Sequence, residues 1–500
     1  MGNPRWAWLV AAGVLSAGSP PALGQIATDG TMGAAGSLTG PSYVISESLG
    51  TRIGDNLFHS FRLFNIATGE SATFTGTADL RNVLSRVTGG SPSSIDGLLR
   101  SQVGQANVFL INPAGVVFGP NAQVDVPAAF HVSTADELRF PDGGVFSASD
   151  PSRTTLSIEN PESFGFLAPQ PAAITINGSF LSFPAEQPIS ITAGDISVGS
   201  GAYLLSRGGN LMLTAVGAGG TAVSAVDGVS TLSAAGQIEL TSGAVLDIRS
   251  LTRPSDLVVR AGNIDISNSL IWADHYGAEV AAAGILLDAP TIAITDAIIS
   301  VDGYGDAPPS GIAIFGDVIA ITRSSISSRQ FGDTPVEGLV WMEAFRQLTL
   351  DETHVDVSRS GNGPGQAFYA AGLFVDILES TIRSDQRGSG RSAEVEIAAG
   401  QLKLVDSKIG AVVLGSGTGP HISFTAFATE IGPNSRGAAD ADFGLSASLD
   451  PNADLFTTVH SNASGSGGDI DIRTNELQIL DGVRLLTDNY GNGGGSAGDI

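Results

Sequence analysis

An all-β right-handed parallel β-helix is the fold this sequence predicts, and three observations predict it. Strand-like apolar runs dominate from Gln25 onward, with few helix-period stretches. Short Gly-x-Ile strand starts recur through the second half: Gly262-Asn263-Ile264, Gly284-Ile285-Leu286, Gly311-Ile312-Ala313 and Gly338-Leu339-Val340 lie 22, 27 and 27 residues apart. Within one such unit, Ile312 to Ile314, Val318 to Thr322 and Ser324 to Ser327 read as three short strands, with Gly316-Asp317 as a turn. Three strands per repeat describe one rung of a solenoid. A rung cannot bury its own apolar face, so several must stack.

The elements follow in chain order. Arg5, the apolar run Trp6 to Leu15 and the small residues of Ala22-Leu23-Gly24 have the three parts of a secretory signal, so residues 1–24 are expected to be removed and Gln25 to begin the mature chain. The apolar run is too short to span a bilayer, which takes roughly 20 residues. Residues 25–165 form a β-rich first domain that caps the solenoid, and 166–500 form the repeat region. A dozen or so rungs from about Pro171 at ~4.8 Å spacing make a rod on the order of 60 Å long. Asp79 to Val87 and Leu339 to Gln347 are the two helical candidates. The chain stops as a new unit opens at Gly498-Asp499-Ile500, 30 residues after Gly468-Asp469-Ile470, with no closing cap, so the repeat region is expected to be incomplete.

Composition removes several functions. The 500 residues carry 24 Lys+Arg against 50 Asp+Glu, a formal charge of -26, and lysine stands only at Lys403 and Lys408. Such a surface repels phosphate backbones and anionic membranes, so no nucleic-acid partner is expected. With 42% hydrophobic residues the chain can still bury a core. There is no Cys, hence no disulfide framework.

The richest stretch runs from Asn56 to Phe140. Val108 to Ile111 is an apolar strand, followed by Asn112-Pro113-Ala114-Gly115 and the strand Val116 to Phe118. Asn first, Pro second and Gly fourth is a type I turn pattern, in which Pro113 presets φ and the Asn112 side chain bonds the turn backbone. Loss of that side chain should cost one such bond, about 0.5–1.5 kcal/mol. Gly119-Pro120-Asn121 reads as a second turn, with Asn121 suited to a positive φ.

Taken in order, NLFHSFRLFNIATGESATFTG, LRNVLSRVTGGSPSSIDGLLR, ANVFLINPAGVVFGPNAQVDV and FHVSTADELRF resemble the haemagglutinin activity domain, the secretion domain of filamentous-haemagglutinin-type, two-partner secretion exoproteins. The resemblance covers roughly Gln25 to Phe140. It implies export through the periplasm, docking on the periplasmic domains of a dedicated outer-membrane barrel, and an adhesin-like life in the medium or on the outer cell surface. Asn112, Pro113 and Gly115 match the family's central motif, and His131, Ser133 and Thr134 match a neighbouring stretch. The family pattern is usually Asn-Pro-Asn-Gly, and Ala114 replaces its second Asn. A second Asn-Pro motif, frequent in the family, is missing from Gln25 to Leu110. Recognition is therefore expected either to stay at Asn112, so that Asn112→Ala harms secretion more than folding, or to have moved onto the flanking strands Val108 to Ile111 and Val116 to Phe118.

Little else points to chemistry. The six His residues, at 59, 131, 275, 354, 421 and 460, never stand at metal-ligand spacing, so no metal, cofactor or catalytic residue is expected. Gly494-Gly495-Ser496-Ala497-Gly498 matches a nucleophile elbow, and Gly493 to Gly498 a dinucleotide loop, but both need a strand-to-helix setting. Two other classes stay open. A polysaccharide-degrading β-helix enzyme would place Asp469, Asp471 and Arg473 on one strand face, and Asp302 with Asp306 would bind calcium. A toxin-delivery exoprotein would carry its effector beyond residue 500.

Overall fold

The computed structural model describes residues 25–500 apart from 225–235, 252–254, 277–283, 305–310, 334–338, 364–366, 433–453 and 481. The candidate signal at 1–24 and Asp306 lie outside the described residues.

Parallel ladders run the length of the molecule. On the first face, Asn56–Phe64, Asn82–Val87, Asn107–Ile111, Phe130–Ser133, Ile189–Ala193, Leu211–Ala215, Leu257–Arg260 and Gly284–Asp288 pair in turn. Gly311–Thr322, Leu339–Asp351, Ala367–Leu378, Val395–Val405, Ile422–Ile431 and Ile470–Ile479 continue the ladder. The solenoid has about 14 turns. Its parallel ladders already include Ser42–Ser46, paired with Ser71–Thr75, well before Pro171. Alternation does the packing: Ile264, Ile292, Ile319, Leu348 and Val375 stack inward on the second face, each at most 1% exposed. Stacked aliphatics of this kind make one continuous core, each side chain stabilising by about 1.5–3 kcal/mol.

Register corrects the repeat assignment. Gly284 does pair with Gly311, but Gly311 pairs one residue beyond Gly338, with Leu339, since Ile312 faces Val340. Asn263 and Ile264 belong to the second face, where they pair with Thr291 and Ile292. The 22-residue interval from Gly262 to Gly284 thus compares two faces of one turn. Gly316-Asp317 is a bulge inside one strand, Gly311–Thr322, that carries both faces.

Both helical candidates are strands. Asn82–Val87 is buried at every position. In Leu339–Asp351, Val340, Met342 and Ala344 face the core while Trp341 and Glu343 face out, a period of two that pairing on both sides enforces. Helix is confined, among the described residues, to the 3-10 turns Glu47–Leu49 and Pro151–Arg153. No helix there is long and apolar enough to cross a membrane.

The corner between the second and third faces repeats a single device. Ser200, Ser242, Asn268, Asp296, Arg323, Glu352, Glu379 and Asp406 all have φ between 48 and 55 or close to it, the lowest being Arg323 at 45. One left-handed residue turns the chain sharply, at a cost of roughly 1–2 kcal/mol when it is not Gly. A small residue follows, and at three corners its hydroxyl caps the adjacent rung: Ser324 Oγ accepts from Ala297 N at 3.1 Å, Ser380 Oγ from Thr353 N at 3.0 Å and Ser407 Oγ from Ser380 N at 3.1 Å.

At the N-terminal end, Ile26–Thr28 and Thr51–Ile53 lie antiparallel on Asn56–Phe64 and close the first rung's edge. A further sheet stands outside the coil: Val145–Ser147, Glu137–Arg139, Ser163–Phe166 and Thr221–Ser224, all antiparallel. It covers outward side chains of the first face. Phe58, Leu84, Phe109 and Ile111 pack there with Leu138, Phe146, Phe164 and Phe166 as a second core.

Candidate functional site

The Asn112 turn closes the strand Asn107–Ile111. Gly115 N donates to Asn112 O at 3.0 Å, the i-to-i+3 bond of the expected turn. Asn112 Oδ1 accepts from Ala114 N at 3.0 Å. Its Nδ2 also donates to Ser91 O and Ser93 Oγ on the preceding rung, both at 3.0 Å. The side chain is wholly buried. Three bonds, rather than the single one expected, therefore depend on Asn112. Gly115 sits at φ 114, and a Cβ there would come within 3.2 Å of Ala173 O. Only glycine suits that place.

The neighbouring motif lies one rung on. Asn112 N donates to Ser133 O at 2.9 Å, which places Ser133 beside the turn. Ser133 Oγ accepts from Ala135 N at 3.0 Å. Thr134 Oγ1 donates to Ala172 O at 2.7 Å and accepts from Gly194 N at 3.2 Å, tying in two further segments. His131 lies two residues earlier on the same face of the strand, stacked on Phe109 at 4.3 Å with its Nδ1 2.7 Å from Ser190 Oγ. Burial holds it neutral, its pKa lowered to about 3.

The structure thus brings Asn112, Pro113, Gly115, Ser133 and Thr134 into one corner, with His131 behind it. All are buried except Pro113, which with Ala114 is half-buried. Exposed groups beside the corner are Ser91, Pro92 and Val117, the last outward on Val116–Phe118 at 37% exposure. Its alternation with the buried Val116 and Phe118 was readable from sequence. Ser91, Ser93 and Ala172 were not, because they belong to other rungs and carry no local motif. At the second turn, Ala122 N donates to Gly119 O at 3.0 Å. Asn121 is not among the positive-φ residues; its N donates to Asp96 Oδ1 at 2.8 Å instead.

The other candidates are distributed differently. Asp302 does not open to a metal: Arg329 grips it through Nε at 3.0 Å and Nη2 at 2.5 Å. No cluster suited to a metal ion occurs among the described residues. Asp471 pairs with Arg473 at 2.5 Å on the outer strand, while Asp469 Oδ1 accepts from Asp499 N at 2.9 Å at the rung corner. Gly493 to Gly498 lies outside the strands, in the irregular segment that follows Leu485–Asn489.

Residues 24–269 match the TPS secretion domain family. The chain is also similar to the crystal structure of the HMW1 secretion domain from Haemophilus influenzae, at 15% sequence identity and a TM-score of 0.49, covering 92% of this chain and 99% of that one. No curated protein matches.

Proposed function

We propose, from the premise that this chain is a two-partner secretion exoprotein with its secretion domain at residues 24–269, that the Asn112 corner presents the surface on which its transporter docks, and that the exported rod works as an adhesin. A TPS secretion domain implies export across the outer membrane to the extracellular space and interaction with an outer-membrane transporter. The finer steps are our reading: loss of residues 1–24, passage through the periplasm, and capture by the transporter's periplasmic domains.

One observation carries the docking reading. The motif residues Asn112, Gly115, Ser133 and Thr134 converge on a single corner yet point inward. A transporter reaches what they hold in place: the half-buried Pro113 and Ala114 and the exposed Ser91, Pro92 and Val117. Asn112 is then a positioning residue. This accounts for the tolerance of Ala114 at the family's second Asn, since Ala114 serves the turn through its backbone N–H.

The test separates shape from contact. Val117→Lys should leave the thermal midpoint within about 2 °C of wild type, as exposed substitutions usually change stability by under ~0.5 kcal/mol. With the partner transporter present, it should reduce the amount reaching the medium several-fold. Asn112→Ala removes three bonds at about 0.5–1.5 kcal/mol each, so it should lower midpoint and secretion together. Normal export of Val117→Lys, with Asn112→Ala impaired only through unfolding, would make the corner purely structural.

A further inference from the structure

We infer that the third face between Phe180 and Asp356 is a binding groove for a linear, uncharged glycan; this rests on the adhesin reading above and names the class of target. Seven strands build it in parallel register: Phe180–Ser182, Tyr203–Leu205, Val245–Asp247, Leu270–Trp272, Ile298–Ser300, Ser325–Ser327 and His354–Asp356. Six rung spacings of ~4.8 Å give a strip about 29 Å long. Two open hollows follow each other along it. One, of about 770 Å³, is lined by Phe180, Tyr203, Asp247, Arg249 and Tyr276 among others. The next, of about 290 Å³, is lined by Trp272, Asp302, Tyr304, Arg329, His354 and neighbouring serines.

The lining alternates rings with planar polar groups. Arg249 lies 4.7 Å over the Trp272 ring and is held by Asp247 at 2.7 Å. Arg329 lies 5.5 Å from the Phe331 ring centre and is held by Asp302 at 2.5 Å. Tyr276, Tyr304 and Phe331 stack from rung to rung at 4.6 and 4.9 Å with planes 3° and 9° apart, forming one wall. The two carboxylates are 3% and 2% exposed, whereas their guanidiniums are 38% and 39% exposed. The donors are therefore fixed from below and open above, so little side-chain entropy is lost when a ligand binds.

Chemistry narrows the occupant. Sugar rings offer C–H faces that pack on aromatic rings and hydroxyls that bond guanidinium, carboxylate and serine groups. A polyanion gains little: each of these two guanidiniums already has a carboxylate partner, the third lining arginine, Arg207, is outnumbered by Glu186, Asp274 and Asp356 in the same hollows, and the whole chain carries -26. An apolar partner would have to bury the paired charges interleaved with the rings. A repeating polymer matches a repeating strip.

The test titrates the full chain, purified from cells lacking the transporter, calorimetrically with neutral linear hexasaccharides of β-1,4-linked glucose, mannose or galactose, and with a sulfated hexasaccharide. At least one neutral hexasaccharide should bind. Trp272→Ala and Arg329→Lys should each weaken it at least tenfold with the thermal midpoint kept, and Trp341→Ala, on the first face, should not. No neutral binding, unchanged binding in Trp272→Ala, preference for the sulfated sugar, or release of new reducing ends would overturn the inference. Because no transporter takes part, a failed export assay leaves this result standing, and failed binding leaves the export reading standing.

Discussion

Two stretches of one coil are built by different rules. Between residues 26 and 224 the rungs are clasped by bonds that leap across the sequence. Arg86, wholly buried, donates to Ser60 Oγ at 2.8 Å, Ser147 O at 2.6 Å and Thr31 Oγ1 at 2.9 Å, and its guanidinium lies 4.5 Å over Phe146. Asn56 Nδ2 donates to Ser157 O at 3.0 Å and Glu159 O at 2.7 Å, across more than a hundred residues. From Gln237 onward the partners stand one rung away: Arg323 on Asp296, Thr353 on Ser380, Ser389 on Asn362. The lesson is that a solenoid can be repetitive where it only has to extend, and needs non-local closure where it starts. Later rungs can add one at a time on a finished template. The first part must close long loops before contacts repay them.

The largest expected effect comes from cutting a clasp. Arg86→Leu leaves the buried Ser147 O and Ser60 Oγ without their donor, and releases the hydroxyls of Thr31 and Thr154 nearer the surface. Breaking a buried charged network of this kind costs about 3–5 kcal/mol. Arg323→Leu removes an ion pair whose side chains are 48% and 51% exposed, and exposed pairs contribute ~0–1 kcal/mol. Denaturant titration of both variants checks the contrast. If the two cost the same, the first stretch is not specially clasped.

Acid should divide the stretches next. His59 and His131, both in the first stretch, are buried and shifted down to about 4 and about 3. Folding keeps them neutral, so below pH 6.5 the unfolded chain binds protons that the folded chain refuses. Stability is fully present above pH 6.5 and falls by about 1.4 kcal/mol per pH unit for each histidine down to their folded values. In the second stretch, burial raises Asp256, Asp274 and Asp385. A carboxyl raised in the folded state binds its proton more tightly there, so acid does not weaken that stretch through these groups. Hydrogen exchange at pH 7 and pH 4.5 should show protection falling first between residues 56 and 133. His131→Phe, which keeps the stack on Phe109, should reduce the acid sensitivity. Uniform loss along the rod would erase the distinction.

The same division explains what the sequence could tell. The repeat was legible because pairing one rung away leaves a 27-residue echo, as between Gly284 and Gly311. The corner column was legible too, in Asn268-Ser269, Arg323-Ser324, Glu379-Ser380 and Asp406-Ser407, spaced 55, 56 and 27 residues apart, two rungs, two rungs and one. It went unread because polar pairs before a strand look like ordinary loop. Faces were confused at Gly262 because strands on two faces share the Gly-x-Ile pattern. Leu339 to Gln347 was misread as helix because Glu, Ala, Arg and Gln favour helix locally, while neighbouring strands on either side dictate extension. At the motif corner the turn itself could be read, since Asn, Pro and Gly act within four residues. The inward aim of Asn112 could not, because it is set by Ser91 and Ser93 on another rung. The Arg86 clasp left no trace at all, its partners lying 26 to 68 residues away.

The smallest expected effect tests how each stretch makes its corners. Positive-φ positions in the first stretch are mostly glycine, including Gly54, Gly69, Gly90, Gly104 and Gly115, whereas in the second the column from Ser242 to Asp406 is not. At Asn268, φ 48 and exposed, the side chain touches nothing the corner needs, and asparagine tolerates this conformation. Asn268→Gly should then be nearly neutral, since relief of residual strain is offset by the added freedom of the unfolded chain, about 0.5–1 kcal/mol. Asn268→Val should cost about 1–2 kcal/mol, because a β-branched residue is penalised at positive φ. Gly115→Ala should cost more than either, since φ 114 falls outside the left-handed well that asparagine shares and the new Cβ meets Ala173 O at 3.2 Å. Thermal midpoints of the three variants give the ranking. If Asn268→Val proves as harmless as Asn268→Gly, the column is not held in the left-handed region by its neighbours, and the second stretch is looser at its corners than its regular ladders suggest.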